Sequence, residues 1–127
     1  DMYNGIVIMP ILGDQKQRDF IFESLTKNLN DRIVYVGVKD TLNVNGNDFL
    51  KADIIISNLK THLSHNKSFI WFDCENRTNQ QRQIVFDIVL KANYKPVCLV
   101  LDTPQNFHTM VEDSQLLKSF ADTFFKT

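Results

Sequence analysis

Apolar residues along the chain fall into two kinds of run: short unbroken ones, and longer ones recurring every three or four positions. The short runs are Gly5–Met9 (GIVIM), Ile33–Val38 (IVYVGV), Phe69–Phe72 and Val97–Leu101. Each reads as a strand, and the all-apolar Gly5–Met9 as one covered on both faces. The longer runs read as helices with one apolar stripe. Ile21, Phe22, Leu25 and Leu29 form the first stripe, stopped at Asn30–Asp31; Ile84, Val85, Ile88, Val89 and Ala92 form another. Phe107, Val111, Leu116, Leu117, Phe120 and Phe124 suggest a last helix with a break near Glu112–Ser114.

One segment reads two ways. In Asp48–Asn66, residues Phe49, Ala52, Ile56, Leu59 and Leu63 keep helical spacing, and Asn47 is a natural cap. Within it, Asp53–Ser57 (DIIIS) has the β-branched content of a strand. The helix is the favoured reading. Ahead of it, Thr41–Asn47 (TLNVNGN) is rich in turn formers and belongs on the surface.

Strands alternating with helices predict an α/β fold, a three-layer sandwich with a mostly parallel sheet. Phe69–Phe72, a polar turn, a helix and Val97–Leu101 make a βαβ unit, whose two strands are expected to be parallel neighbours. Chemistry in such sheets lies beyond the carboxyl ends of the strands. Asp73 and Asp102 end the two runs, and the turn CENRTNQQR follows Asp73, so that edge is where candidate residues collect.

A chain of 127 residues is expected to form a single domain. Its 43% hydrophobic and 23% charged content is ordinary for a globular protein. A net charge of −1 supplies no global field toward nucleic acid or anionic lipid. No apolar run approaches the roughly 18 residues that span a bilayer, so no membrane partner is expected. Cys74 and Cys98, in or beside predicted strands, are expected to be free buried thiols of a reducing, intracellular compartment, cytoplasmic or nuclear. The chain opens on Asp1 and closes on Lys126–Thr127 without cap or tail, as expected for a fragment of a larger protein.

The first strand–turn–helix is where a phosphate-binding loop, G-x-x-x-x-G-K-[ST], would lie. That loop needs glycines so that backbone N–H groups can point at a phosphate, a lysine for the β/γ-phosphates and a hydroxyl for magnesium. The chain reads Pro10-Ile11-Leu12-Gly13-Asp14-Gln15-Lys16-Gln17. Lys16 is in place and Gly13 is a plausible turn glycine. Pro10 and Gln15 replace the motif glycines, Gln17 replaces the hydroxyl residue, and Asp14 sets a negative charge where phosphates would rest.

The order of these features resembles the P-loop kinase group, specifically polynucleotide 5′-kinase domains. The carrying residues are Lys16 after the first strand, Lys39-Asp40-Thr41-Leu42 after the second, and Asp73-Cys74-Glu75-Asn76 after the third. Arg82 follows six residues later, and then the strand leading to Thr103. The resemblance implies a P-loop NTPase-like fold, with Gly13 and Lys16 as a vestigial phosphate site and Asp40 as the candidate general base for an acceptor 5′-hydroxyl. It makes Asp73, Asn76 and Arg82 the residues that meet substrate or order the turn. Glu75 stands where the family usually has threonine, and Gln105–Thr127 carries no lid arginine, only Lys118 and Lys126. Phosphoryl transfer depends on positioning and positive charge. The expectation is therefore a catalytically inactive relative, a structural or binding module with no cofactor and no metal. Its partners would be other domains of the parent protein and, through the resemblance, RNA or DNA ends. The alternatives are an active kinase using ATP and Mg2+, and a flavodoxin-like interaction module. Strand order separates the last: kinases of this group insert a strand between the first two in sequence, whereas flavodoxin-like sheets pair those two directly.

Other candidates read more plainly. His62 and His65 lie three apart without a third ligand, and Cys74 has no evident activating base, so both read as structural. From the residues alone, Arg77 and Arg82 read as solvated or ion-paired helix residues. The phenylalanines and Trp71 are expected mostly in the core, with Phe124–Phe125 as a candidate docking surface.

Overall fold

The computed structural model describes residues 2–11, 13–74 and 79–101. Its elements in order are β1 (Gly5–Ile11), α1 (Gln15–Leu29), β2 (Ile33–Gly37), α2 (Asp48–Ser64), β3 (Phe69–Asp73), α3 (Asn79–Lys91) and β4 (Tyr94–Val100). Short 3-10 turns, Asn30–Arg32 and Val38–Thr41, flank β2. The last helical stripe of the sequence, from Phe107 to Phe124, lies outside the described residues, as does Asp102.

All four strands are parallel, in the order β2-β3-β1-β4. Every residue of β1 is buried, which is why an unbroken apolar run takes the inner position. The expected pairing of β3 with β4 is therefore corrected: β1 lies between them, and the α3 crossover passes over it. β1 also runs two residues past Met9. Pro10 and Ile11 pair with Leu99 and Val100 of β4, beyond the Ile6–Ile8 stretch that pairs with β3. β2 and β1 are separated by β3, so the first two strands are not neighbours.

Side chains alternate across the sheet and build two cores. On one face Val7, Met9, Val36, Ile70 and Phe72 meet Ile55, Leu59 and Leu63 of α2 and Val85 and Val89 of α3. On the other, Ile6, Ile8, Phe69 and Trp71 meet Ile21, Leu25 and Leu29 of α1. Helices thus lie on both faces. Burying each such Leu or Ile contributes about 1.5–3 kcal/mol.

The segment 48–66 resolves as helix α2, with the Asn47 side chain accepting from the Leu50 N–H at 3.0 Å. Its buried stripe is Ile55, Leu59 and Leu63, four apart. Phe49, expected inside, is 83% exposed, because only the later turns of α2 lie against the sheet core. Near the ends of the three helices, Asn30, Asn66 and Asn93 take positive φ of 54°, 57° and 59°. Asparagine tolerates this left-handed backbone better than most side chains, and here it serves where glycine often stands.

The cysteine expectation is corrected in part. Both thiols are free, but Cys74 is half-buried and Cys98 is exposed. Cys98 lies on β4, which borders the sheet among the described residues and has no strand on its outer flank.

Candidate functional site

At the carboxyl edge of β3, Asp73 is fully buried. Its Oδ1 accepts from Arg18 Nε at 2.6 Å, and its Oδ2 accepts from Gln15 Nε2 at 2.9 Å and from the Tyr35 hydroxyl at 2.6 Å. These short contacts are the charge-assisted kind. Arg18 has no spare nitrogen. Nη1 donates to the Gly13 carbonyl at 3.1 Å and Nη2 to Gln15 Oε1 at 2.7 Å. Among the described residues, no buried side-chain polar atom lacks a partner.

Four segments place these groups. Arg18 shares the phase of Ile21, Leu25 and Leu29 on α1, so the helix that buries its apolar stripe carries the guanidinium inward at its first turns. Tyr35 and Asp73 lie on the same face of β2 and β3, where Tyr35 pairs with Trp71 and Gly37 with Asp73. Gly13 has φ of 73°, and a Cβ there would fall 2.9 Å from Leu101 Cβ. The turn thus needs glycine for conformation and for room.

The network continues outward. The Tyr35 hydroxyl accepts the Lys39 N–H at 3.1 Å, and Lys39 Nζ pairs with Asp19 Oδ1 at 2.8 Å. Asp19 Oδ1 also accepts from Gln15 Nε2 at 2.8 Å. Burial works to raise the Asp19 pKa, but the Lys39 and Gln15 hydrogen bonds and the charges of Lys39 and Arg18 hold it below the ordinary carboxylate value. For Tyr35, burial first and then the Asp73 hydrogen bond push the phenol well above its ordinary value of 10.0.

The start of α1 is closed by its own side chains. Asp14 Oδ1 accepts the Gln17 N–H at 2.8 Å, while Gln17 Oε1 accepts the Asp14 N–H at 2.9 Å. This capping box satisfies donors that a bound anion would otherwise use. Lys16 is exposed on the same first turn.

The remaining candidates stand elsewhere. Asp40 is exposed on the 3-10 turn after β2, and its Oδ2 accepts from the Gly37 N–H at 3.0 Å and from Asn58 Nδ2 at 3.3 Å. Arg82, half-buried on α3, donates to Asn79 Oδ1. Asn76, Glu75 and Arg77 lie outside the described residues. Gly13 and Asp73 are therefore brought together through Arg18, whereas Asp40 reaches that cluster through the backbone of Gly37, the register partner of Asp73. Arg18 and Tyr35 are not among the candidates read from the sequence, and Gln15 stood there only as the residue replacing a motif glycine. The available signal was the position of Arg18, three before Ile21 and seven before Leu25.

Between α2 and α3, on the opposite face, runs a groove of about 670 Å³. Val38, Leu42, Ile55, Phe72, Cys74 and Val85 line it. Asp40 sits between two lining residues, Val38 and Thr41. Near the end of α2, burial and then the charge of His65 lower the pKa of the half-buried His62. Burial raises that of Cys98, against a smaller pull from Arg82. No group of three His, Cys, Asp or Glu among the described residues is placed to hold a metal ion. No helix among them is long and apolar enough to cross a membrane.

Chemically, both oxygens of the Asp73 carboxylate are taken up by donors of this chain, Oδ1 by Arg18 and Oδ2 by Gln15 and Tyr35. Asp40 keeps an exposed carboxylate and is the freer acid. No protein-family model and no curated protein matches the chain.

Proposed function

We propose that the chain is a P-loop kinase-like domain, similar in scaffold to polynucleotide 5′-kinase domains, that no longer grips nucleotide. It would serve as a structural or binding module of a larger protein, one concerned with RNA or DNA ends. The observation that carries this reading is the capping box at the start of α1, where Asp14 holds the Gln17 N–H that a phosphate would need. The scaffold part is supported by the strand order, with β3 inserted between β1 and β2. A flavodoxin-like sheet would pair β1 with β2 directly. Loss of activity is supported by Asp73, whose carboxylate is paired with Arg18 instead of being open to magnesium. Gln17, standing where the magnesium hydroxyl belongs, has its side chain engaged by the Asp14 N–H. These residues do not fit ATP and Mg2+.

A second reading, an active 5′-kinase, draws on one observation: the exposed Asp40 carboxylate beside the groove between α2 and α3. A general base must reach the attacking hydroxyl, and Asp40 has that freedom. Calorimetric titration with millimolar MgATP decides between them. We expect no binding heat for the wild type or for Lys16→Ala. Magnesium-dependent binding lost in Lys16→Ala would replace the first reading with the second.

A further inference from the structure

We infer that the donors around Asp73 form an oxyanion seat that the chain fills with its own carboxylate, an autoinhibitory contact that keeps external phosphate or carboxylate out. Three donors of different chemistry converge on one group: Arg18 Nε at 2.6 Å, Tyr35 hydroxyl at 2.6 Å and Gln15 Nε2 at 2.9 Å. They come from α1 and β2, and none is supplied by the strand that bears Asp73. A guanidinium with two neutral donors is a recognition set for a carboxylate or phosphate oxygen pair. The set is also pre-oriented. Arg18 is held from behind by the Gly13 carbonyl and Gln15 Oε1, and Tyr35 by the Lys39 N–H.

The seat lies out of water, with the Asp73 side chain fully buried and that of Arg18 11% exposed. A guanidinium in such a place needs a counter-ion, because an unpaired buried charge is strongly destabilising. Asp73 supplies it from within the chain, so its effective concentration exceeds that of a dissolved anion. An external oxyanion therefore enters only where Asp73 is removed. The inference rests on the donor set alone and is independent of the kinase-like reading.

Formate is the Asp73 carboxylate without its chain, which makes it the probe. Asp73→Ala is melted in sodium formate and in sodium chloride at equal ionic strength, beside the wild type and the Arg18→Met/Asp73→Ala double variant. The expected result is a low Tm for Asp73→Ala in chloride and a saturable gain of several degrees in formate. The wild type and the double variant should melt alike in the two salts. A formate gain no larger than that of chloride overturns the seat, and an equal gain in the wild type overturns its self-occupation. If Asp73→Ala is unfolded in chloride, recovery of its circular dichroism in formate supports the inference. If it stays unfolded in both, Asp73→Ser, which leaves room and keeps a hydroxyl, is put through the same comparison, and failure of formate there overturns the inference.

Discussion

Tyr35 holds two structural elements with a single oxygen, donating to Asp73 and accepting from the Lys39 N–H. Removing it leaves a buried carboxylate one donor short, which costs about 1.5–3 kcal/mol for a bond to a charged group. Its titration gives that loss a pH signature. The folded-state phenol is raised above its ordinary value of 10.0, so folding favours the protonated form. The contribution is complete below about pH 10 and declines as pH rises and the unfolded chain forms tyrosinate. Urea unfolding should show Tyr35→Phe less stable than wild type at neutral pH, with the gap narrowing above about pH 10. A gap constant across that range would separate Tyr35 from Asp73. Asp73 itself was legible in the sequence as an acid closing an apolar run, but its partner was not. An arginine on a helix reads as solvated by default, and only its phase with Ile21 and Leu25 hints that it turns inward.

At the scale of elements, β2 leaves no room for a side chain at Gly37, the register partner of Asp73. A Cβ at Gly37 would fall 2.2 Å from the Asp73 carbonyl oxygen, so the strand end has to move to admit one. Gly37→Ala is expected to cost about 1–3 kcal/mol in urea, as overpacking does, with an unchanged m-value. The Val38–Thr41 turn, whose Asp40 side chain accepts the Gly37 N–H, would shift with it. Most elements were readable because periodicity is local. The choice of helix for α2 follows from its cap and from helical spacing kept from Phe49 to Leu63, which outweigh the short β-branched DIIIS. Which face of that helix is buried was less legible. Phe49 keeps the helical spacing, yet spacing does not say which turns of a helix rest against the sheet.

Over the whole molecule, strand order decides where protection lies. β1 and β3 are paired on both sides, whereas β2 and β4 are outermost among the described strands. In native-state hydrogen exchange, the amides of Ile6–Ile8 and Ile70–Phe72 are expected to exchange last, with free energies approaching that of global unfolding. Earlier protection of β2 over β1 would contradict the order. Adjacency of strands was the least legible feature, because it depends on where crossovers land and not on any local pattern. The βαβ pattern placed Phe69–Phe72 beside β4, yet β1, buried along the whole of Gly5–Ile11, lies between them.

The ligands of Asp73 are drawn from far along the chain, 38, 55 and 58 positions away. Such a knot cannot be tied early, since α1, β2 and β3 must all have docked before its last bond closes. Its free energy therefore falls mainly on the far side of the folding barrier, where it acts as a brake on unfolding and adds little to the speed of assembly.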